Sequence, residues 1–191
     1  MKKFLKWYFC VNVTMLMLSL WAVSVQAQPV YYREIEWIDL LPERDLQALL
    51  NPPDWIVDIE DGSERDNVAA LSSSVSGSDV DEGFYDALKS FNVRPEFDGQ
   101  NVKIPGFIVP LAFNDERKVT SFFLVPFFGA CLHYPPPPPN QIIHVTYEPG
   151  VLVNDLWDAY WIEGTMHMAV TRNDMGEAAY GMSAANITVY R

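Results

Sequence analysis

Five consecutive prolines, Pro135, Pro136, Pro137, Pro138 and Pro139, stand between two apolar segments, 119–127 and 142–147. Proline has a fixed φ and no backbone N–H, so this run cannot enter a sheet ladder. It forms polyproline II instead, rising about 3 Å per residue, and acts as a stiff prop. Any fold for this chain must place the run in a connection and let the flanking segments pair around it. Cys131, His133 and Tyr134 precede the prolines, Asn140 and Gln141 follow them, and His144 opens the next apolar segment.

The region around this loop reads as strands. The first, 102–113, contains Pro105, Gly106 and Pro110, which predict a bulge or tight bend rather than a regular central strand. The second, 119–127, is apolar on both faces. Val119, Phe123, Val125 and Phe127 share one face and Phe122 and Leu124 the other, as in a strand covered on both sides. The third is 142–147. Residues 149–159 form a connection with a helical turn near 153–157. The fourth, 160–171, has the clearest alternation: Tyr160, Ile162, Gly164, Met166, Met168 and Val170 oppose Trp161, Glu163, Thr165, His167 and Thr171. A turn at 173–176 leads to a fifth strand, 178–190. Five strands with a kinked first member predict a mainly β fold, α+β overall, built as a small OB-like barrel. A small β-sandwich is the alternative.

Two short helices precede the barrel. One spans 42–50, docked by Leu46, Leu49 and Leu50 and ended by Asn51-Pro52-Pro53. The other spans 80–91, with Phe84, Leu88 and Phe91 on one face. Between them lie an acidic run and a serine-rich linker, 72–78. The organisation is therefore a leader, 1–27, a helical and acidic segment, 28–97, and a barrel, 98–191.

The leader has Lys2, Lys3 and Lys6, then an apolar run, then Val25-Gln26-Ala27. This is the pattern of a secretory signal cleaved after Ala27. It predicts a periplasmic or secreted protein with no stable membrane insertion after processing. The chain has 191 residues, 49% of them hydrophobic, enough for one compact domain. Its formal charge is −12, and loss of three leader lysines makes it −15. Such a chain is repelled by nucleic acid and by anionic membrane surfaces. Processing also removes Cys10, leaving Cys131 without an internal disulfide partner.

Cys131 and His133 are two apart and project to the same side of an extended chain. Thiolate and imidazole are good ligands for zinc or copper. If the loop turns back as a hairpin connection, His144 brackets its base. Strand parity turns His144 and His167 away from the core. Cys131, His133, His144 and His167 are thus the candidate metal ligands, with zinc the leading metal. Each residue also has a plain reading, as a buried cysteine or a hydrogen-bonded histidine. A Cys–His nucleophile pair is a third reading. No oxyanion-hole pattern or orienting carboxylate accompanies it, no catalytic residue is assigned, and the balance is against an enzyme. Tyr134, Pro135, Pro136, Pro137, Pro138, Pro139, Asn140 and Gln141 form a candidate protein-docking surface, since exposed polyproline is a common ligand. The Asn140 and Gln141 amides are expected to serve the loop carbonyls.

The segment from Gly129 through Cys131 and His133 to Gln141 resembles the signature of a bacterial family of unknown function, DUF3299. So do Trp37 to Pro42, the Asp98-Gly99 to Leu111 stretch with its Ile104-Pro105-Gly106-Phe107 centre, Phe123 to Phe127, and Trp161-Ile162 with Gly164. The resemblance implies an exported protein of Gram-negative bacteria, with a link in some members to transport components, including zinc-responsive ones. It assigns no residue a role. The reading is a periplasmic, non-enzymatic accessory protein that binds zinc in support of a membrane transporter. The alternative is a metal-free docking module built on the rigid proline loop.

Overall fold

Asn101–Phe113 forms one long strand, β2, that serves two neighbours. Its first half, up to Phe107, pairs antiparallel with β5 (Ala159–His167), and its second half pairs antiparallel with β3 (Val119–Val125). The strand must bend between the two, and Gly106 lies at that point. A Cβ there would meet the Val125 carbonyl oxygen at 2.8 Å, so only glycine lets β2 and β3 approach this closely. Register shifts between Pro110 and Phe113 add the expected irregularity.

β4 (Ile143–Val151) follows β3, and β8 (Tyr180–Val189) runs parallel to β4 and antiparallel to β5. The ring β2-β3-β4-β8-β5 closes on β2, giving the OB-like five-stranded barrel. A short strand, β1 (Arg33–Glu34), adds to β2 in parallel. Helix α1 spans Glu43–Leu50 and α2 spans Asp79–Leu88, and the two pack together. The structure, a computed structural model, describes residues 29–53, 79–129 and 137–191, with the backbone alone for 79–81. Expectations for the leader, for the acidic run and linker within 54–78, and for Cys131, His133, Tyr134, Pro135 and Pro136 lie outside the described residues.

Three sequence expectations need correction. The long fourth and fifth strands are interrupted by a separate hairpin, β6 (Thr171–Asn173) with β7 (Gly176–Ala178). Alternation persists beyond His167 although Met168 and Val170 are exposed, so parity outlasted the barrel pairing. The third strand runs on to Val151 through Pro149 and Gly150, where a positive φ of 70° is free for glycine. Finally, a register shift between Val119 and Ser121 puts Val119 inside the barrel with Phe122 and Leu124, while Phe123 and Val125 stay outside. One extra residue in a bulge reverses side-chain parity.

The barrel interior is filled by Val102, Ile104, Phe122, Leu124, Ile143, Val145, Ile162 and Met166. Ile35, Leu40 and Phe97 join this core from the N-terminal segment. Burying each such side chain contributes about 1.5–3 kcal/mol. The Tyr180 hydroxyl donates to the Leu40 carbonyl (2.8 Å) and accepts from the Arg94 N–H (2.8 Å). The Trp37 indole donates to the Pro105 carbonyl at 2.7 Å. Tyr31–Arg191 is one compact unit.

Candidate functional site

α1 begins after Pro42, with Glu43 and Asp45 in the first turn where carboxylates favour the helix dipole, and ends before Pro52 and Pro53. It packs against α2, whose Phe84 and Ala87 are buried, but Leu50, expected to dock the helix, is exposed at its end. An apolar groove of about 300 Å³ opens beside this pair. Leu41 and Leu49 line it with Phe84 and Leu88, and Pro126, Phe127, Pro137 and Pro138 complete the wall. Gln141 is the polar residue of the lining.

The proline wall is fixed from behind by a buried polar seam. Asn140 and Gln141 follow the prolines in a 3-10 turn, Pro139–Gln141. The Asn140 amide donates to Asp45 Oδ2 (2.9 Å) and to the Asn92 carbonyl (3.0 Å). The Ser90 hydroxyl donates to the same Asp45 oxygen. The Asn140 N–H donates to the Ser90 carbonyl at 3.2 Å, and the Ala179 N–H to the Pro139 carbonyl at 2.8 Å. The Gln141 amide donates to the Trp37 carbonyl at 2.8 Å and to the Asn140 carbonyl at 3.2 Å. The two amides therefore reach mostly into the N-terminal segment, not into their own loop. Asn140 Oδ1 is buried without a partner among the described residues. Pro137, Pro138, Pro139, Asn140 and Gln141 are all buried. This half of the proline run is a wall rather than an exposed ligand.

The two described histidines share a different surface. His144 on β4 and His167 on β5 both align with Gly181 of β8, from its two sides. Their strand neighbours Ile143, Val145 and Met166 point inward, so both histidines point outward on one face. Gly181 puts no side chain between them, and a Cβ there would meet the Ala169 methyl at 3.3 Å. Each ring is held by a serine: His144 Nε2 lies 2.9 Å from Ser121 Oγ, and His167 Nε2 lies 3.1 Å from Ser183 Oγ. Burial holds the His144 pKa below its ordinary value, which favours the neutral ring. Imidazole is a good zinc ligand, and the two rings suit zinc as part of a ligand set. Among the described residues no three His, Cys, Asp or Glu side chains converge as a metal site.

Sequence reasoning missed Asp45 and Ser90, which looked like ordinary surface residues. It also missed an outer aromatic ribbon, where Phe128 stacks on exposed Trp157 (3.7 Å between centroids) and meets Phe107 edge-on. These rings come from three distant segments, and no local pattern links them.

A family model described as protein of unknown function (DUF3299) matches residues 37–189. A crystal structure of a DUF3299 family protein from Pseudomonas aeruginosa PAO1 is similar to this chain at 32% identity, covering 85% of this chain and 98% of that one, with a TM-score of 0.60. No curated protein matches the chain.

Proposed function

Since the chain belongs to the DUF3299 family, we propose that it is a non-enzymatic accessory protein that docks a segment of another protein in the groove between α1, α2 and the proline wall. The carrying observation is the groove itself, apolar but for Gln141 and walled by Pro137 and Pro138. Ligand sites are concave and mostly apolar with a few placed polar groups. The leader sequence puts this activity in the periplasm. A photo-crosslinking side chain at position 127, compared in cells with one at Arg117, tests the reading. One discrete adduct is expected at position 127 and not at 117. Equal labelling at both positions, or none, would sink it.

A second reading is favoured by the register of His144 and His167 on Gly181. The two histidines, with Cys131 and His133, would bind zinc for delivery to a membrane transporter. Elemental mass spectrometry of the chain from Gln28 to Arg191 tests this. About one equivalent of zinc is expected, lost in Cys131→Ala and in His144→Ala. A metal-free wild type after incubation with zinc would end this reading.

A further inference from the structure

The negative charge of this chain is concentrated. Helices α1 and α2, residues 43–50 and 79–88, hold six of its 25 acids and one of its 13 bases, a net −5 within a total of −12. These helices build two walls of the groove. Glu43 on α1 and Glu82 and Asp86 on α2 are exposed, with Asp86 3.9 Å from the exposed Arg44 of α1. The groove between these helices is apolar, so the site combines an uncharged floor with a negative surround. Such a field draws cationic partners and repels anionic ones.

The wall chemistry narrows the occupant further. Pro137 and Pro138 offer no N–H, so that wall cannot extend a sheet onto a docking strand. Recognition there rests on side-chain contact. Gln141 is 8% exposed, and its amide nitrogen is committed to the Trp37 and Asn140 carbonyls. Its Oε1 accepts from no donor among the described residues, although the residue lines the groove. That oxygen is an acceptor for a ligand N–H.

From these features we propose that the groove receives a basic, extended peptide segment of a partner protein. Its aliphatic side chains seat against Leu49, Phe84, Leu88 and Phe127. A backbone N–H donates to Gln141 Oε1, and its lysines or arginines face the carboxylates of α1 and α2. This identification of the partner rests on the docking reading of the groove.

The test uses the chain from Gln28 to Arg191, which contains the whole Tyr31–Arg191 unit, in the presence of a chelator. The probe is a short fluorescent peptide alternating leucine and lysine, beside its leucine–glutamate counterpart, read by anisotropy. The lysine peptide should bind at least about tenfold more tightly than the glutamate peptide, and should weaken as salt rises. Phe127→Ser, at a side chain 45% exposed, should cost about tenfold in that binding without moving the melting temperature. Equal binding of both peptides, lost in Phe127→Ser, would overturn the basic partner and leave the docking reading standing. Binding of neither peptide would overturn both. Lysine-peptide binding that ignores Phe127→Ser, or equal capture of the chain by phosphatidylglycerol vesicles, would also overturn the proposal.

Discussion

The barrel interior and the seam behind the proline wall are both buried, but different forces hold them. Inside the barrel, Val102, Ile104, Phe122, Leu124, Ile143, Val145 and Ile162 are fully buried and wholly apolar. In the seam lie Asp45, Ser90, Asn140 and Gln141, which are all the buried polar or charged side chains among the described residues. Apolar burial is non-directional and scales with area. A hydrogen-bonded seam is directional, and each member fixes the position of the others. The barrel therefore supplies stability, while the seam sets where Pro137 and Pro138 stand, and so shapes the groove.

The largest effect should come from the barrel. Phe122→Ala should lower stability by about 3–5 kcal/mol, the transfer loss plus the cavity it leaves. Urea unfolding measures it, and peptide affinity per folded molecule should stay unchanged. A loss below about 1 kcal/mol would mean that the barrel interior is not where stability resides.

Asp45→Ala should cost less stability and more function. It strands the Ser90 hydroxyl and one Asn140 amide bond, which should destabilise by about 1–3 kcal/mol. Unlike Phe122→Ala, it should also weaken peptide binding, because the proline wall loses its anchor. A double-mutant cycle with Asn140→Ala should show coupling of about 1 kcal/mol. Additive losses, or unchanged peptide binding, would make the seam an ordinary piece of core and erase the contrast.

The same contrast decides what could be read from the sequence. Barrel strands announce themselves through alternation, and β2 with its Pro105-Gly106 kink, the order of strands and the outward parity of His144 and His167 were all legible. Parity failed only where a bulge reversed it, at Val119, or where it ran on past the pairing, at Met168 and Val170. The seam was illegible because its partners, Asp45, Ser90 and Asn140, lie far apart in sequence and are individually typical of surfaces. The prolines were read as a stiff loop, but nothing local says whether such a loop faces water or packs as a wall, as Pro137 and Pro138 do. That depends on Asn140 and Gln141 finding Asp45, Ser90 and the Trp37 carbonyl, a tertiary event. The convergence of His144 and His167 on Gly181 depends likewise on strand register.

The smallest effect asks on which side of the comparison the outer face belongs. His144 sits on a barrel strand, yet it is hydrogen-bonded to Ser121 as seam residues are to one another. If burial governs it, the folded state disfavours the imidazolium, and its pKa lies below the ordinary value of 6.5. The unfolded chain then takes up the proton first, so the contribution is complete above pH 6.5 and is lost as pH falls toward the folded-state value. His144→Gln keeps a polar partner for Ser121 and removes the titration. Relative to this variant, wild type should lose stability between about pH 7.5 and pH 5, by less than either substitution above. A stability difference flat across that range would show that the bond to Ser121 offsets burial, placing the histidine with the seam. A difference that grows in favour of wild type at low pH would mean that the folded state welcomes the charge, and that the outer face holds a carboxylate or other acceptor close to this ring.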